Sequence, residues 1–168
     1  QGVGNVGYRL AKHLHEAGAK LWVTDIHAPA VERCVKEFGA TAESMDEIFA
    51  HPVHVFAPGA LGATPNDKTL PALKTPIVAG AANNQLAEKR HGQALADRGI
   101  LYAPDYVINA GGIIEIFHEE SGAYDEHKVR GHLERIGKTL ATVFKRAEQD
   151  KKPTGEIADR MAEEIFRA

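Results

Sequence analysis

The sequence predicts an α/β fold: a Rossmann-type, doubly wound, mostly parallel sheet with a C-terminal helical tail. Three observations predict it. The chain opens on Gln1-Gly2-Val3-Gly4-Asn5-Val6-Gly7, in which Gly2, Gly4 and Gly7 spell G-x-G-x-x-G. In that turn the first glycine bends sharply, the second lets a pyrophosphate approach the backbone, and the third lets helix and strand pack closely. Next, the strand-like run Lys20-Leu21-Trp22-Val23-Thr24-Asp25-Ile26 places the acidic Asp25 eighteen residues after Gly7. A carboxylate at about that distance meets the hydroxyls of an adenine ribose. Finally, short apolar runs alternate with helical periodicity along the chain, as in a sheet built from βαβ units.

Composition narrows the class. A chain of 168 residues that is 43% hydrophobic can bury a sizeable core in one domain. A net charge of −3 gives no basic footprint for nucleic acid and no sign of a membrane-surface protein. No apolar run approaches the roughly 20 residues of a membrane span. The single cysteine, Cys34, excludes an intrachain disulfide and suits a reducing, cytoplasmic setting.

The elements follow in order. Val6, Leu10, Leu14 and Ala17 recur at helical spacing, which predicts a helix over residues 5–17 with an apolar stripe, stopped by Gly18. No strand pattern precedes Gly2, so the first strand of the fold is expected to be missing here and an upstream domain to precede it. After the Asp25 strand, Pro29 opens a helix over residues 29–38 that Gly39 stops. Ser44 with Glu47 forms a capping-box pattern and opens a short helix ending before Pro52. Residues 53–56, 77–79 and 100–102 read as strands, with a helical turn over 66–73 and a helix over 86–97. Val129, Leu133, Ile136, Leu140, Val143 and Phe144 form the stripe of a long amphipathic helix after Ser121-Gly122. Pro153-Thr154-Gly155 breaks it before a last helix from Glu156. The expected division is a dinucleotide-binding domain over residues 1–122 and a helical segment over 123–168 packed on it.

In an open α/β sheet, ligands bind beyond the carboxyl ends of the strands. The fingerprint, Asp25, and the loops over residues 57–62, 80–84 and 104–112 all lie at such ends and are rich in small residues. Each loop taken alone is also ordinary turn chemistry, and Asp25 alone also reads as a cap for the next helix.

Together the loops carry a resemblance. Gly2-Val3-Gly4-Asn5-Val6-Gly7, Phe56-Ala57-Pro58-Gly59-Ala60-Leu61-Gly62, Ala79-Gly80-Ala81-Ala82-Asn83-Asn84-Gln85-Leu86 and Tyr102-Ala103-Pro104-Asp105-Tyr106-Val107-Ile108-Asn109-Ala110-Gly111-Gly112 follow one another. In this order the chain resembles the glutamate/leucine/phenylalanine/valine dehydrogenases, and it does so over essentially its whole length. The resemblance implies NAD-dependent oxidative deamination of an L-amino acid, leucine-like in the nearest match, to a 2-oxo acid and ammonia by a homo-oligomer. It implies that Gly2, Val3, Gly4, Asn5, Val6, Gly7 and Tyr8 hold the pyrophosphate, and that Asp25, with Ile26 beside it, holds the adenine ribose. Ala60 and Leu61 would line the cofactor's ribose region, and Ala82 and Asn84 the nicotinamide, with Asn84 also close to substrate. Ile113 and Ile116, three apart on a helix that Gly111-Gly112 opens, would line the pocket for the substrate side chain. Read alone, those isoleucines are equally core contacts. The resemblance also puts the catalytic lysines in an upstream domain, so no catalytic residue is expected in this chain.

Two departures stand out. Gly59 replaces a cysteine of the family's Pro-Cys-Ala-Leu-Gly loop, which is expected to remove a side chain near the cofactor and loosen the loop. Glu115 stands where a neutral amide is expected. By its own chemistry, Asp25 favours NAD over NADP, because a carboxylate accepts from ribose hydroxyls but repels a 2′-phosphate. His27 and Arg33 would soften this preference if they turned inward.

Other readings are weaker. His13 and His15 point in different directions on a helix, His51 and His54 lack a third ligand, and Cys34 lacks a partner, so no metal site is expected. The nine histidines are expected mostly on solvated faces. No G-x-S-x-G nucleophile appears. A non-catalytic NAD-sensing module on the same fold remains an alternative, which a substrate pocket at Ile113 and Ile116 argues against. A methyltransferase is a third reading, although its usual loop is G-x-G-x-G.

Overall fold

Five short parallel strands carry the fold of this computed structural model, which describes residues 1–120, 122 and 124–167. Strands β1 (Trp22–Val23) and β2 (Thr41–Ala42) pair in one sheet; β3 (Val55–Phe56), β4 (Ile77–Val78) and β5 (Leu101–Tyr102) pair in the order β3-β4-β5 in the other. The registers set Trp22 beside Thr41, Val55 beside Ile77, and Ile77 beside Leu101. Four of the strands are the apolar runs read from the sequence and β2 is not, and each has only two residues in the ladder. Burial concentrates there. Phe56, Val78 and Tyr102 join Ile48, Leu70, Leu73, Leu95 and Ile100 in the larger core, while Val23 packs with Val3, Ala11, Cys34 and Ala40 in a second.

Residues 1 and 2 tie the two sheets together. Gly2 N–H donates to Thr24 O at 2.8 Å on one side, and Gly59 N–H donates to Gln1 O at 2.6 Å on the other. The backbone nitrogen of Gln1 also donates to Ala57 O at 3.1 Å.

Helix α1 (Asn5–Glu16) buries Gly7 and Ala11. The stripe expected on this helix is therefore displaced, since Val6 is 61% exposed and Leu14 38%. Small residues let α1 approach the sheet closely, and bulky ones on that side would hold it off. Helix α2 (Ala28–Phe38) has Pro29 in its first turn and ends at Gly39, as expected. The Ser44 capping box forms only in part: Glu47 N–H donates to Ser44 Oγ at 3.1 Å, but the Glu47 carboxylate accepts from the Ser44 hydroxyl at 2.8 Å rather than from a backbone N–H. It opens only a 3-10 turn, Glu47–Phe49.

Three elements differ from those expected. β2 is two exposed residues with no apolar run, stabilised by Thr41 N–H to Leu21 O and Glu43 N–H to Val23 O. Helix α3 (Arg90–Asp97) begins four residues after Leu86, because the buried ring of His91 accepts Glu88 N–H at 3.0 Å and holds the preceding turn out of the helix. Helix α4 (Asp105–Ile108) lies within a stretch read as loop. Helix α5 (Gly111–Glu120) follows, as the glycine pair suggested. The expected break at Ser121-Gly122 and the boundary before Ala123 fall partly on Ser121 and Ala123, which lie outside the described residues.

Helix α6 (Glu126–Asp150) is capped by Asp125, whose carboxylate accepts from His127 N and Lys128 N. Of the predicted stripe it buries Val129 and Val143, joined by Ala147, whereas Leu133 is exposed and Ile136, Leu140 and Phe144 are half-buried. Helix α7 (Thr154–Phe166) packs back on it through Ile157 and Ala158. Thr154 Oγ1 donates to Tyr102 O at 2.7 Å, so the tail is fastened to the last strand. Among the described residues, no helix is long and apolar enough to cross a membrane.

Candidate functional site

The fingerprint loop is seated by close backbone approaches. Gly2 has φ +83°, and a Cβ there would collide with Ala60 N and lie 2.6 Å from Gly59 C. A Cβ on Gly7 would collide with Gly2 O, so α1 can start where it does only without a side chain at position 7. Gly4, by contrast, is exposed with open space around it. It is the N-cap of α1, makes no side-chain cap bond, and no acidic residue sits in the first turn. Helix N–H groups without a capping side chain or a carboxylate suit an anion, which the helix dipole also favours.

Asp25 is half-buried and faces this loop. Its Oδ2 accepts Val3 N–H at 2.7 Å and its Oδ1 accepts His27 N–H at 2.9 Å. Ile26, next to it, is 91% exposed. Tyr8 is half-buried; its hydroxyl donates to Glu37 Oε2, and Arg33 Cζ lies 3.7 Å from its ring centroid. Arg33 Nε donates to Glu37 Oε1 at 3.0 Å. The hydrogen bonds from Tyr8 and Arg33 hold the Glu37 carboxyl below its ordinary range.

Four expected residues come together in one cleft. Ala60, Leu61, Ala82 and Asn84 share a cavity of about 600 Å³. Leu61 is fully exposed in it, whereas Ala82 is buried and donates its N–H to Pro58 O at 2.9 Å. Asn84 has φ +52° and its carbonyl accepts Ala63 N–H at 2.8 Å, which joins the two loops. Gln85 is buried beneath them, and its amide Nε2 donates to Gly80 O and Ala82 O at 2.8 and 3.0 Å. Gly59 does not loosen the loop, contrary to expectation. It is held by its bond to Gln1, and a Cβ there would sit 2.8 Å from Gly2 O, so glycine is what lets the loop reach the fingerprint.

A larger cavity, about 830 Å³, opens on the other side of Asn84 between the Gln85 loop, Tyr106 and α7. Ile113 and Ile116 line neither cavity. They stand exposed on α5, at 76% and 53%, while Ile114 between them is buried. Glu115 acquires a physical account: its Oε1 accepts Tyr124 O–H at 2.8 Å, linking α5 to the residues before α6.

Sequence reasoning missed His91 and Lys89. His91 is 2% exposed rather than solvated, with Nε2 3.1 Å from Asp67 Oδ1. Asp67, Glu88 and His91 are the one group among the described residues that could hold a metal ion. Arg90 already bridges it, donating to Asp67 at 2.6 and 2.8 Å and to Glu88 at 2.9 Å. The Arg90 and His91 bonds hold the Asp67 carboxyl down to about 2, which marks an ion-pair network. Lys89 lines the larger cavity and pairs with Asp159 at 3.5 Å. No periodicity flags a helix-start lysine as a cavity residue.

The profile of the Glutamate/Leucine/Phenylalanine/Valine dehydrogenase family matches residues 22–164. The chain belongs to that family. It is 52% identical to a leucine dehydrogenase of Bacillus cereus over 164 residues, covering 98% of this chain and 44% of that protein. It is similar in structure to an L-tryptophan dehydrogenase from Nostoc punctiforme, with a TM-score of 0.96 and 45% identity over 100% of this chain and 51% of that one. A glutamate dehydrogenase from Thermus thermophilus, 20% identical with a TM-score of 0.69 over 94% of this chain and 42% of that one, shares the fold. The chain thus spans about half the length of the relatives it matches.

Proposed function

We propose that this chain is the cofactor-binding portion of an NAD-dependent enzyme that oxidatively deaminates a branched-chain, leucine-like L-amino acid to its 2-oxo acid and ammonia. One observation carries the reading: Asp25, the ribose-binding carboxylate of the proposal, is bonded to Val3 inside the pyrophosphate loop. A side chain that only capped α2 would have no reason to fasten that loop. The residues fit the group. The uncapped start of α1 and the open space at Gly4 receive the pyrophosphate; Asp25 accepts from the adenine ribose and disfavours a 2′-phosphate.

NAD, when bound, supplies the hydride acceptor. Ala60, Leu61, Ala82 and Asn84 would hold its nicotinamide half in the smaller cleft, where the alanines leave room for the ring. Asn84 would orient the substrate, and Ile113 with Ile116, exposed in this chain, would accommodate an aliphatic side chain where the rest of the enzyme covers them. The acid–base chemistry belongs to lysines outside this chain. Leucine, tryptophan and phenylalanine dehydrogenases all stand among the similar proteins, and the aliphatic pair favours the first. The enzyme works as a homo-oligomer in the cytoplasm.

The test is turnover by the full-length enzyme with L-leucine, L-valine, L-phenylalanine and L-tryptophan, each with NAD and with NADP. NADH production fastest with a branched-chain substrate is the expected result. Faster turnover of tryptophan or phenylalanine would overturn the substrate, and faster turnover with NADP would overturn the cofactor. NAD binding without turnover of any amino acid would point to a sensing module.

A further inference from the structure

The reading of Asp25 as the ribose-binding carboxylate leaves Arg33 to be explained, since a guanidinium near that ribose is what admits a 2′-phosphate. Arg33 is the one arginine of α2 and begins six residues after His27. Side chains of a helix lean toward its N-terminus, which for Arg33 is the end carrying Asp25, Ile26 and His27. At about 1.5 Å of rise per residue, the first residue of α2 lies about 7–8 Å from Arg33 along the axis, roughly the length of an extended arginine side chain, so a phosphate standing over that end would meet the guanidinium. Yet Arg33 is held elsewhere. Its Nε donates to Glu37 Oε1, one turn further from the ribose end, and its guanidinium lies on the Tyr8 ring. Tyr8 completes the triangle by donating to the other oxygen of Glu37.

We propose that Glu37 is a specificity-determining residue for the cofactor: by holding Arg33 back against Tyr8, it keeps the guanidinium of α2 from reaching a 2′-phosphate. Asp25 then excludes NADP by repulsion, and Glu37 excludes it by withholding the cation that would offset that repulsion. The arrangement needs Tyr8 as well. An arginine placed N-terminal to its carboxylate at i, i+4 is the weaker order for a helix ion pair. Both partners are also partly exposed, at 56% and 41%, so the pair alone holds Arg33 only loosely. Stacking on the ring adds a second restraint.

The experiment measures kcat/KM with NAD and with NADP for the full-length enzyme, for Glu37→Gln, and for Arg33→Gln/Glu37→Gln. It also measures the Kd of adenosine 2′,5′-bisphosphate, which reads the phosphate contact without turnover. Glu37→Gln should narrow the preference for NAD about two- to fivefold, the worth of one exposed ion pair. The change should lie in KM for NADP, and the bisphosphate should bind correspondingly tighter. The double variant should return both readouts to the wild-type values. An unchanged ratio in Glu37→Gln, or an equal change in the double variant, overturns the proposal, because the effect would then not pass through Arg33. A wild-type enzyme that prefers NADP, or uses neither cofactor, overturns the underlying reading instead and shows this before any variant is compared.

Discussion

Val3 N–H donates to Asp25 Oδ2 at 2.7 Å, so one carboxylate joins the strand end to the loop twenty-two residues before it. Val3 is 6% exposed, and its N–H has little access to water. Removing the acceptor therefore has two consequences that separate experimentally. Asp25→Ala should lower stability by about 1–3 kcal/mol, the cost of an unsatisfied buried donor, and should weaken NAD while narrowing the preference over NADP. Asp25→Asn keeps an acceptor for Val3 and loses the charge, so it should retain most of the stability and still narrow the preference. Thermal unfolding and kcat/KM for both cofactors give the two readouts. Equal stability loss in both variants would mean that charge, not the Val3 bond, is what holds the loop.

A second prediction turns on exposure along α5. Ile113 and Ile116 are open to solvent and Ile114 is 7% exposed. Alanine at 113 or 116 should change stability by less than about 0.5 kcal/mol, as at ordinary surface positions. In the full-length enzyme, either change should shift relative kcat/KM among leucine, valine and phenylalanine by about 1–3 kcal/mol, the scale of a methylene-sized pocket change. Ile114→Ala should do the reverse, costing about 2–5 kcal/mol of stability with selectivity little altered. Unchanged selectivity in both surface variants would leave these isoleucines as an apolar face with another purpose.

These two sites also show what the sequence discloses and what it hides. The roles of Gly2, Gly4 and Gly7 were legible because each follows from backbone sterics: a left-handed turn, an open approach, a tight contact. The place of Asp25 at the strand end beside the loop was legible by spacing, but its bond to Val3 was not, since no pattern encodes which N–H a carboxylate chooses. β2 was hidden because Thr41 and Ala42 are exposed and carry no apolar run; their pairing comes from β1. His91 was hidden for the opposite reason. A histidine in a polar stretch reads as solvated, and only the fold shows that its ring replaces a backbone acceptor at the start of α3. Gly59 looked like a loss of packing in one dimension and is a close approach in three.

The third prediction is a pH dependence at the attachment of the tail. Tyr106 shares its hydroxyl hydrogen between Asp159 Oδ1 at 2.7 Å and Gly155 O at 3.1 Å, fastening α4 to α7. Burial, and then the bond to Asp159, push the phenol well above its ordinary range. Above about pH 10 the unfolded chain releases this proton while the native chain keeps it. The unfolded state then binds fewer protons, so stability falls as pH rises. Melting temperature should decline between about pH 9.5 and pH 11, and Tyr106→Phe should flatten that decline while lowering stability near neutrality. Tyr102, raised for the same first reason, burial, contributes to the same slope and serves as the comparison. A decline of equal steepness in Tyr106→Phe and wild type would remove Tyr106 from the account.

The last prediction is that residues 1–168 on their own do not turn over amino acid. Deamination needs a base to activate water and a cation to hold the substrate carboxylate, and family resemblance assigns both to lysines elsewhere. Among the lysines here, Lys89 comes nearest, because it lines the cavity that reaches Asn84. It is 96% exposed and paired with Asp159 at 3.5 Å, so it is neither shielded from water nor directed at a reacting centre. Confinement is lacking too. Ile113 and Ile116 are open to solvent, and Leu61 is fully exposed in the smaller cleft, whereas hydride transfer requires the substrate pressed against the nicotinamide with water excluded. The assay is NADH formation from L-leucine at alkaline pH by the purified chain, with the full-length enzyme beside it. The isolated chain should give no detectable turnover, and it should bind NAD more weakly than the full-length enzyme does. Turnover approaching that of the full-length enzyme would place the catalytic groups in this chain. Lys89→Met would then be the first variant to make, since loss of that turnover would identify the missing base.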